Sequence, residues 1–413
     1  MTDAQQRYAA QNMQAIQADP MHNRLPSLRF VGATTLCDTG LTDAPLAVSG
    51  GRIGYGIYPS IDLTGYLILP GIIDLHGDAF ERHIAPRPNA PFPLASGLQG
   101  VDRDAAANGV TTAWLAQSWS WEGGARGAAF AQSVAAALAD YRPHALTDLR
   151  LQIRYETHDH DTTDQLLDTV ARYGIGYVVF NNHLDEALDM WRDRPHEVWQ
   201  WAKRAGRTGP ELMAVVQAAK ARTGEVPRRL CKLADAFDSL GVIYGSHDDP
   251  DGETRETYAM LGARICEFPT SVQAAAVAKA VGDPVLMGAP NVVRGGSQAG
   301  NISAAKLVRD GKCDILVSDY HYPSLAMAAF RLVDDGIRPL PQAWAMISTA
   351  PAELMRLHDR GVIAQGRRAD LCIINSATRT VEATIAGGRI THLAGEAAHR
   401  FLSSAQSLGI AAA

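Results

Sequence analysis

His76 and Asp78 stand two positions apart at the end of the apolar run GIIDLHGD, residues 71–78. Side chains at i and i+2 of a strand point to one face, so this imidazole and carboxylate can grip one ion. Other polar residues end apolar runs in the same way. Glu156 closes LRLQIRYE, His183 closes YVVFNNH, His247 closes GVIYGSH and Asp319 closes DILVSD. Any one of them alone reads as a hydrogen-bonded side chain or a helix cap, as Asp248 and Asp249 do after His247. Three histidines and three carboxylates together are more than capping requires. Polar groups at apolar strand ends are costly unless paired, and metal ligation would pair all of them.

Charge counting favours two divalent ions. The carboxylates of Asp78, Glu156 and Asp319 sum to −3, two ions add +4, and a bridging hydroxide brings the total to zero. Mixed imidazole and carboxylate ligation suits zinc, with manganese or iron as alternatives. Such ions make hydroxide available at neutral pH. Asp319 is then expected to bind one ion and to take the water proton as general base.

The elements that must position these groups are short apolar runs alternating with helical patterns over residues 71–358. Candidate strands lie at 71–78, 110–118, 149–156, 177–183, 241–248, 263–270, 284–290 and 314–320. Continuous apolar runs are the mark of parallel strands buried on both faces. Eight strand–helix units predict an α/β fold, a (β/α)8 TIM barrel with its chemistry at the C-terminal strand ends. A doubly wound open sheet would want a glycine-rich turn after its first strand, where this chain has HGD. Segment 184–240, with Trp191, Trp199 and Trp201, is too long for one connecting helix and reads as a helical insertion covering the barrel mouth. Residues 28–70 and 359–397 carry the punctuation of short antiparallel strands and predict a small β-sandwich domain built from both chain ends. Residues 1–27 read as an N-terminal extension.

After the seventh candidate strand comes GAPNVVRGGSQAGN. Gly295, Gly296 and Gly300 would let the backbone approach an anion, Arg294 offers a bidentate fork, and Ser297 and Asn301 add neutral donors. The loops after strands seven and eight are the usual phosphate site of a TIM barrel. A second basic group, Arg82, His83 and Arg87, follows the first strand; solvated surface charge and phosphate contact are both open readings for it.

The 413 residues are 46% hydrophobic and 20% charged, with a net charge of 38 − 44 = −6. That excludes a disordered chain and leaves no basic excess for nucleic acid. It does not exclude a small phosphorylated substrate, which local groups bind. No stretch reaches the roughly 18 apolar residues of a membrane span, and the N-terminus lacks the apolar core of a signal peptide. Five scattered cysteines without a CxxC pair predict a reduced, cytoplasmic protein. A homodimer is carried only as the commonest assembly.

PGIIDLHGD, NGVTTAW, the Asp at the last strand and TAPAELMRLHDRGVIAQGRRADLCIIN resemble the amidohydrolase superfamily. DLHGDAFERHIAPRP, YGSHDD, EFPTSVQAAAVAKAVGDPVLMGAPNVVRGGSQAGN and ILVSDYHYPSLAMAAF more narrowly resemble the PhnM family of phosphonate metabolism, in the carbon–phosphorus lyase pathway. That resemblance implies an α-D-ribose 1-methylphosphonate 5-triphosphate diphosphatase, which releases pyrophosphate and leaves the 5-phosphate. The superfamily usually has HxH on its first strand, where this chain has Asp78 in the second place, as the narrower family does. It also usually places its later histidines on strands five and six, whereas the count here puts His183 and His247 on strands four and five. Either a strand hides in 184–240 or the pattern is shifted. An amidohydrolase acting on a C–N bond is the alternative enzyme, and a metal-stabilised barrel without hydrolysis is the alternative that is no enzyme.

Overall fold

The computed structural model describes residues 24–87, 90–297 and 300–407. The expected N-terminal extension falls outside the described residues as far as position 23.

Eight parallel strands form the central sheet: Ile72–Gly77, Val110–Trp119, Asp148–Glu156, Tyr177–Asn181, Ile243–His247, Cys266–Glu267, Val285–Gly288 and Ile315–Val317. Each pairs with its neighbour in the chain, and a parallel bridge between Gly77 and Asp319 joins the last strand to the first. The sheet is therefore a (β/α)8 barrel and not an open, doubly wound one. The second strand, VTTAWLAQSW, is buried along its whole length, as a strand with helices outside and a packed interior must be.

Between the fourth and fifth strands the chain is helical: Leu184–Asp193, Pro195–Arg204, Gly209–Ala221 and Val226–Leu240. No strand hides among them, so the histidine pattern is shifted. The last of these helices ends at Gly241, whose φ of 72° is a left-handed cap that suits glycine. It packs on the barrel through Phe237, with ring centroids 5.6 Å from Tyr244 and 6.2 Å from Phe180. The other three make a separate core with Leu184, Val198, Trp201, Leu212 and Val216, closed by Trp121 from the loop after the second strand. The Gly209–Ala221 helix starts at a capping box between Thr208 and Glu211. Trp201 donates its indole N–H to the buried Glu122, and Arg207 donates to the carbonyl of Trp121 at 3.0 Å. The insertion thus clasps the second-strand loop. Trp201 is in that core, whereas Trp199 is half exposed.

Both chain ends build two further sheets. Leu28–Val31, Leu46–Ser49, Arg52–Gly54 and Ser60–Asp62 form one; Thr34–Cys37, Gly40–Thr42, Tyr66–Pro70, Leu371–Asn375, Val381–Ala386 and Arg389–Leu393 form the other. They share a core that includes Phe30, Val48, Leu63, Ile68, Ile373 and Ile385. The expectation of purely antiparallel strands needs correcting. Leu28–Val31 pairs in parallel with Ser60–Asp62, and Thr34–Cys37 with Tyr66–Pro70. Between each strand and its parallel partner the chain visits the other sheet, so the partners meet in the same direction.

Arg360 fastens the returning chain to the barrel. Its side chain is 5% exposed and donates through Nη1 to Asp148 Oδ2 at 2.8 Å and to Thr112 Oγ1 at 3.0 Å. Burial would raise the Asp148 carboxyl, but the Arg150 and Arg360 charges outweigh it and hold that group far below the usual range. We expect Arg360→Met to cost about 1–3 kcal/mol in chemical denaturation at pH 7, because the part-buried Asp148 loses one of its two guanidinium partners and keeps Arg150. Since the folded pKa of Asp148 is depressed, the pair's contribution is full above about pH 4 and declines below it. Equal stability of the two proteins at pH 7 would refute this role.

Candidate active site

Strand alternation builds the inner wall. On the first strand Ile73 and Leu75 join the barrel interior and Asp74 turns to the outer side, and a register shift between Asp74 and Gly77 then brings His76 and Asp78 to the site. Asp74 is fully buried and accepts from the Ser318 amide at 2.8 Å and the Ser318 hydroxyl at 2.6 Å. The Asp319 amide donates to the His76 carbonyl at 2.9 Å, and the Asp78 amide to the Asp319 carbonyl at 2.8 Å. The seam is tight: a Cβ on Gly77 would lie 2.9 Å from Asp74 Oδ2 and 3.0 Å from Ser318 Oγ. This seam sets His76, Asp78 and Asp319 together, with one ligand atom of each within 4.8 Å of the others.

Glu267, at the end of the sixth strand, is the hub behind them and is wholly buried. Its Oε2 accepts from His247 Nδ1 at 2.6 Å and lies 3.0 Å from His76 Nδ1. Its Oε1 accepts from Gln152 Nε2 at 2.9 Å and from the Tyr177 hydroxyl at 3.1 Å. Burial would raise this carboxyl, but the neighbouring imidazoles outweigh burial and hold it well below the ordinary range. The His76 and His247 rings stack at 5.2 Å, and Phe268 sets its edge against both at 5.0 and 5.1 Å. Phe268 holds φ at 52°, beside Asp248 at 59° and Asp319 at 55°. Aspartate tolerates this left-handed conformation; for phenylalanine it is strain of about 1–3 kcal/mol, concentrated at the barrel mouth.

The remaining sequence-predicted ligands lie differently. Glu156 Oε1 is 2.5 Å from His183 Nδ1, and Oε2 accepts the His183 amide at 3.1 Å. The pair belongs to neither of the ligand clusters found among the described residues, His76–Asp78–Asp319 and His76–His247–Glu267. Asp248, expected as a cap, lies on the cavity wall with Oδ2 at 3.4 Å from His247 Nε2 and 4.0 Å from His183 Nε2. Asp249 is the anchor, accepting from Ser246 Oγ at 2.6 Å beside the fully buried Arg255.

The cluster opens into a cavity of about 410 Å³. It is lined by His76, Asp78, His247 and Asp319 and, from the stretch after the seventh strand, by Arg294, Gly296, Ser297 and Asn301. Asn291 staples that stretch, donating to the Ile302 carbonyl at 3.0 Å and accepting the Ala304 amide at 2.9 Å. Arg294 Nη1 lies 3.4 Å from the Tyr320 hydroxyl. Gly295 caps the Ala289–Arg294 helix and is not among the residues that line the cavity. Arg82 and Arg87 do not line the cavity; both are exposed, and Arg82 donates to the Tyr320 carbonyl.

No protein-family profile matches the chain. It is 33% identical over 321 residues to the alpha-D-ribose 1-methylphosphonate 5-triphosphate diphosphatase of Escherichia coli (strain K12), covering 76% of this chain and 84% of that protein. The chain belongs to that diphosphatase family. Similar solved structures share the fold at low identity. Dihydropyrimidinase from Brevibacillus agri NCHU1002 matches with a TM-score of 0.57 and 13% identity over 90% of this chain and 97% of that one. N-acetylglucosamine-6-phosphate deacetylase from Pasteurella multocida matches with a TM-score of 0.57 and 13% identity over 88% and 99%. N-acyl-D-glutamate deacylase from Bordetella bronchiseptica, solved with zinc and a phosphonate inhibitor, matches with a TM-score of 0.57 and 14% identity over 89% and 96%.

For a member of the diphosphatase family, three further residues at the site escaped sequence reading. Glu267 ends a strand, and the rule that selected Glu156 would have selected it. Arg154 stands two before Glu156, the same spacing that joined His76 to Asp78. Tyr320 had no local signal. The donor set fits a divalent ion. Burial first, and then the like charge of Asp78, push the Asp319 carboxyl up to about 7, and a cation there would relieve both. Binding of a divalent ion at pH 6.5 should therefore expel a proton from Asp319. Buffer-dependent calorimetry with Mn2+ should show more proton release from the wild type than from Asp319→Asn at pH 6.5, with the difference lost at pH 8.5. Equal release from the two proteins at pH 6.5 would exclude Asp319 as a ligand.

Proposed function

We propose that this protein hydrolyses alpha-D-ribose 1-methylphosphonate 5-triphosphate to the 5-phosphate and pyrophosphate, using a divalent ion held by His76, Asp78 and Asp319. The observation that carries this reading is the cavity itself, which the ligand cluster lines together with Arg294, Gly296, Ser297 and Asn301. Membership of the diphosphatase family supplies the substrate class. One imidazole and two carboxylates make a harder donor set than imidazoles alone, which widens the choice from zinc to manganese or iron. Cytoplasmic residence is proposed on the five free cysteines; none of the described helices is long and apolar enough to cross a membrane.

When bound, the ion polarises a phosphate oxygen and lowers the pKa of water. The residues of this chain do the rest. Asp319 takes the proton of the attacking water on its carboxylate as the oxygen closes on phosphorus. His76 and His247 are held by Glu267 and wedged by Phe268, so they do not turn with the substrate. The bond between the attacked phosphorus and its bridging oxygen breaks, and the pyrophosphate leaves on that oxygen. Arg294 and the donors of its loop receive the charge that grows there.

The C–N reading draws on the fold neighbours, but an arginine lining the same cavity as the ligand cluster suits a polyanion better than a neutral amide. The test is release of pyrophosphate from a ribose 5-triphosphate by the Mn2+-loaded protein. Asp319→Asn should lose about 10³-fold in kcat with its fold intact, since asparagine also tolerates the left-handed conformation. Arg294→Ala should lower kcat/KM by about tenfold or more through loss of charge-assisted hydrogen bonds. Hydrolysis of dihydropyrimidines or N-acyl substrates without pyrophosphate release, indifferent to Arg294→Ala, would transfer the assignment to the C–N reading.

A further inference from the structure

We propose that Arg154 takes the place of a second metal ion, so that the centre holds a single divalent ion and uses the guanidinium as its second cation toward the triphosphate. This rests on the proposed diphosphatase reading and departs from the two ions that charge counting favours.

The third strand sends Gln152, Arg154 and Glu156 inward in steps of two, and each meets a different part of the site. Gln152 donates to Glu267, Glu156 pairs with His183, and Arg154 between them reaches His247. Its Nη2 lies 3.0 Å from His247 Nε2. That nitrogen is the one left for an ion once His247 Nδ1 is committed to Glu267. Arg154 lines the same cavity as Asp78, Asp248 and Asp319. A second ion would therefore have to occupy space and a lone pair that the guanidinium already holds. It would also stand beside a permanent positive charge.

The other candidate ligands are committed as well. Both oxygens of Glu156 are taken, by His183 Nδ1 and the His183 amide. The two ligand clusters among the described residues share His76, so they cannot serve two ions independently. The deeper of the two is closed, because Glu267 Oε2 sits between the Nδ1 atoms of His76 and His247. What stays open toward the cavity is one cluster, His76–Asp78–Asp319, and the guanidinium of Arg154 lines that same cavity. Of the donors on Arg154, only Nη2 has a hydrogen-bond partner among the described residues, and the Nε–H is buried without an acceptor. A phosphoryl group bound at the ion would supply acceptor oxygens in the geometry a guanidinium fork matches.

The test counts ions first. Wild-type protein saturated with Mn2+ and desalted should retain one ion per chain by elemental analysis, with an uncoupled six-line EPR spectrum. Two ions per chain with an exchange-coupled spectrum would overturn the proposal. No retained ion would overturn the metal reading beneath it as well. In the second arm Arg154→Ala should keep its one ion and lose at least 100-fold in pyrophosphate release, with at least tenfold recovery on adding ethylguanidinium. Full turnover in Arg154→Ala, or a loss that ethylguanidinium leaves unchanged, would remove the guanidinium from the reaction. A wild type that holds one ion yet releases no pyrophosphate would refute the diphosphatase reading and leave the ion count standing.

Discussion

The wholly buried carboxylate of Glu267 is the contact on which the rest of the site depends. A charge so far from water is tolerated only when its lone pairs are filled, and groups from the first, third, fourth and fifth strands fill them. In return it sets the orientation of two imidazoles and leaves their outer nitrogens toward the cavity, as carboxylates commonly do behind metal-binding histidines. Removing it would leave His247 without its hydrogen-bond partner, His76 without its neighbouring carboxylate, and Gln152 and Tyr177 facing an empty acceptor position. The strained Phe268 next to it makes sense in the same terms, since its edge lies against both rings that Glu267 holds.

Closure of the barrel is the second constraint, and it is chemical as well as geometric. The first and eighth strands meet through backbone hydrogen bonds that run between the residues bearing the candidate ligands. Asp74 and Ser318 lock that seam below the site. The two carboxylates that repel each other at the mouth, Asp78 and Asp319, are thus fixed by the interaction that completes the fold. Their repulsion cannot relax by moving apart, which is why a cation is the natural relief.

Much of this was legible in the sequence for a simple reason. Strands buried on both faces must be apolar throughout, so all eight runs stood out, even the sixth, whose regular hydrogen bonding spans only Cys266 and Glu267. Polar residues that end such runs stood out in turn. What was not legible is who partners whom. Glu156 and Glu267 occupy equivalent places in the pattern, yet one holds a single histidine and the other stands between two. That difference arises from which side chains the closed barrel brings across its axis. Arg154 and Asp248 were hidden for the same reason: their meaning lies across the barrel and not along the strand. The parallel pairings in the terminal sheets were equally out of reach, because they depend on where the chain changes sheet.

The terminal sheets also have a consequence in time. Tyr66–Pro70 lies between strand Thr34–Cys37 on one side and Leu371–Asn375 on the other, with Tyr66 opposite Asn375 and Pro70 opposite Leu371. Its second partner is thus made about 300 residues after it. At roughly 5–20 residues per second of synthesis, that edge waits on the ribosome for about 15–60 s with its backbone groups unpaired. The barrel strands, by contrast, each find a neighbour in the next segment made. Newly made chains are therefore exposed to misassembly at the strands that precede the barrel, and a strand made after the barrel is the one that seals this sheet.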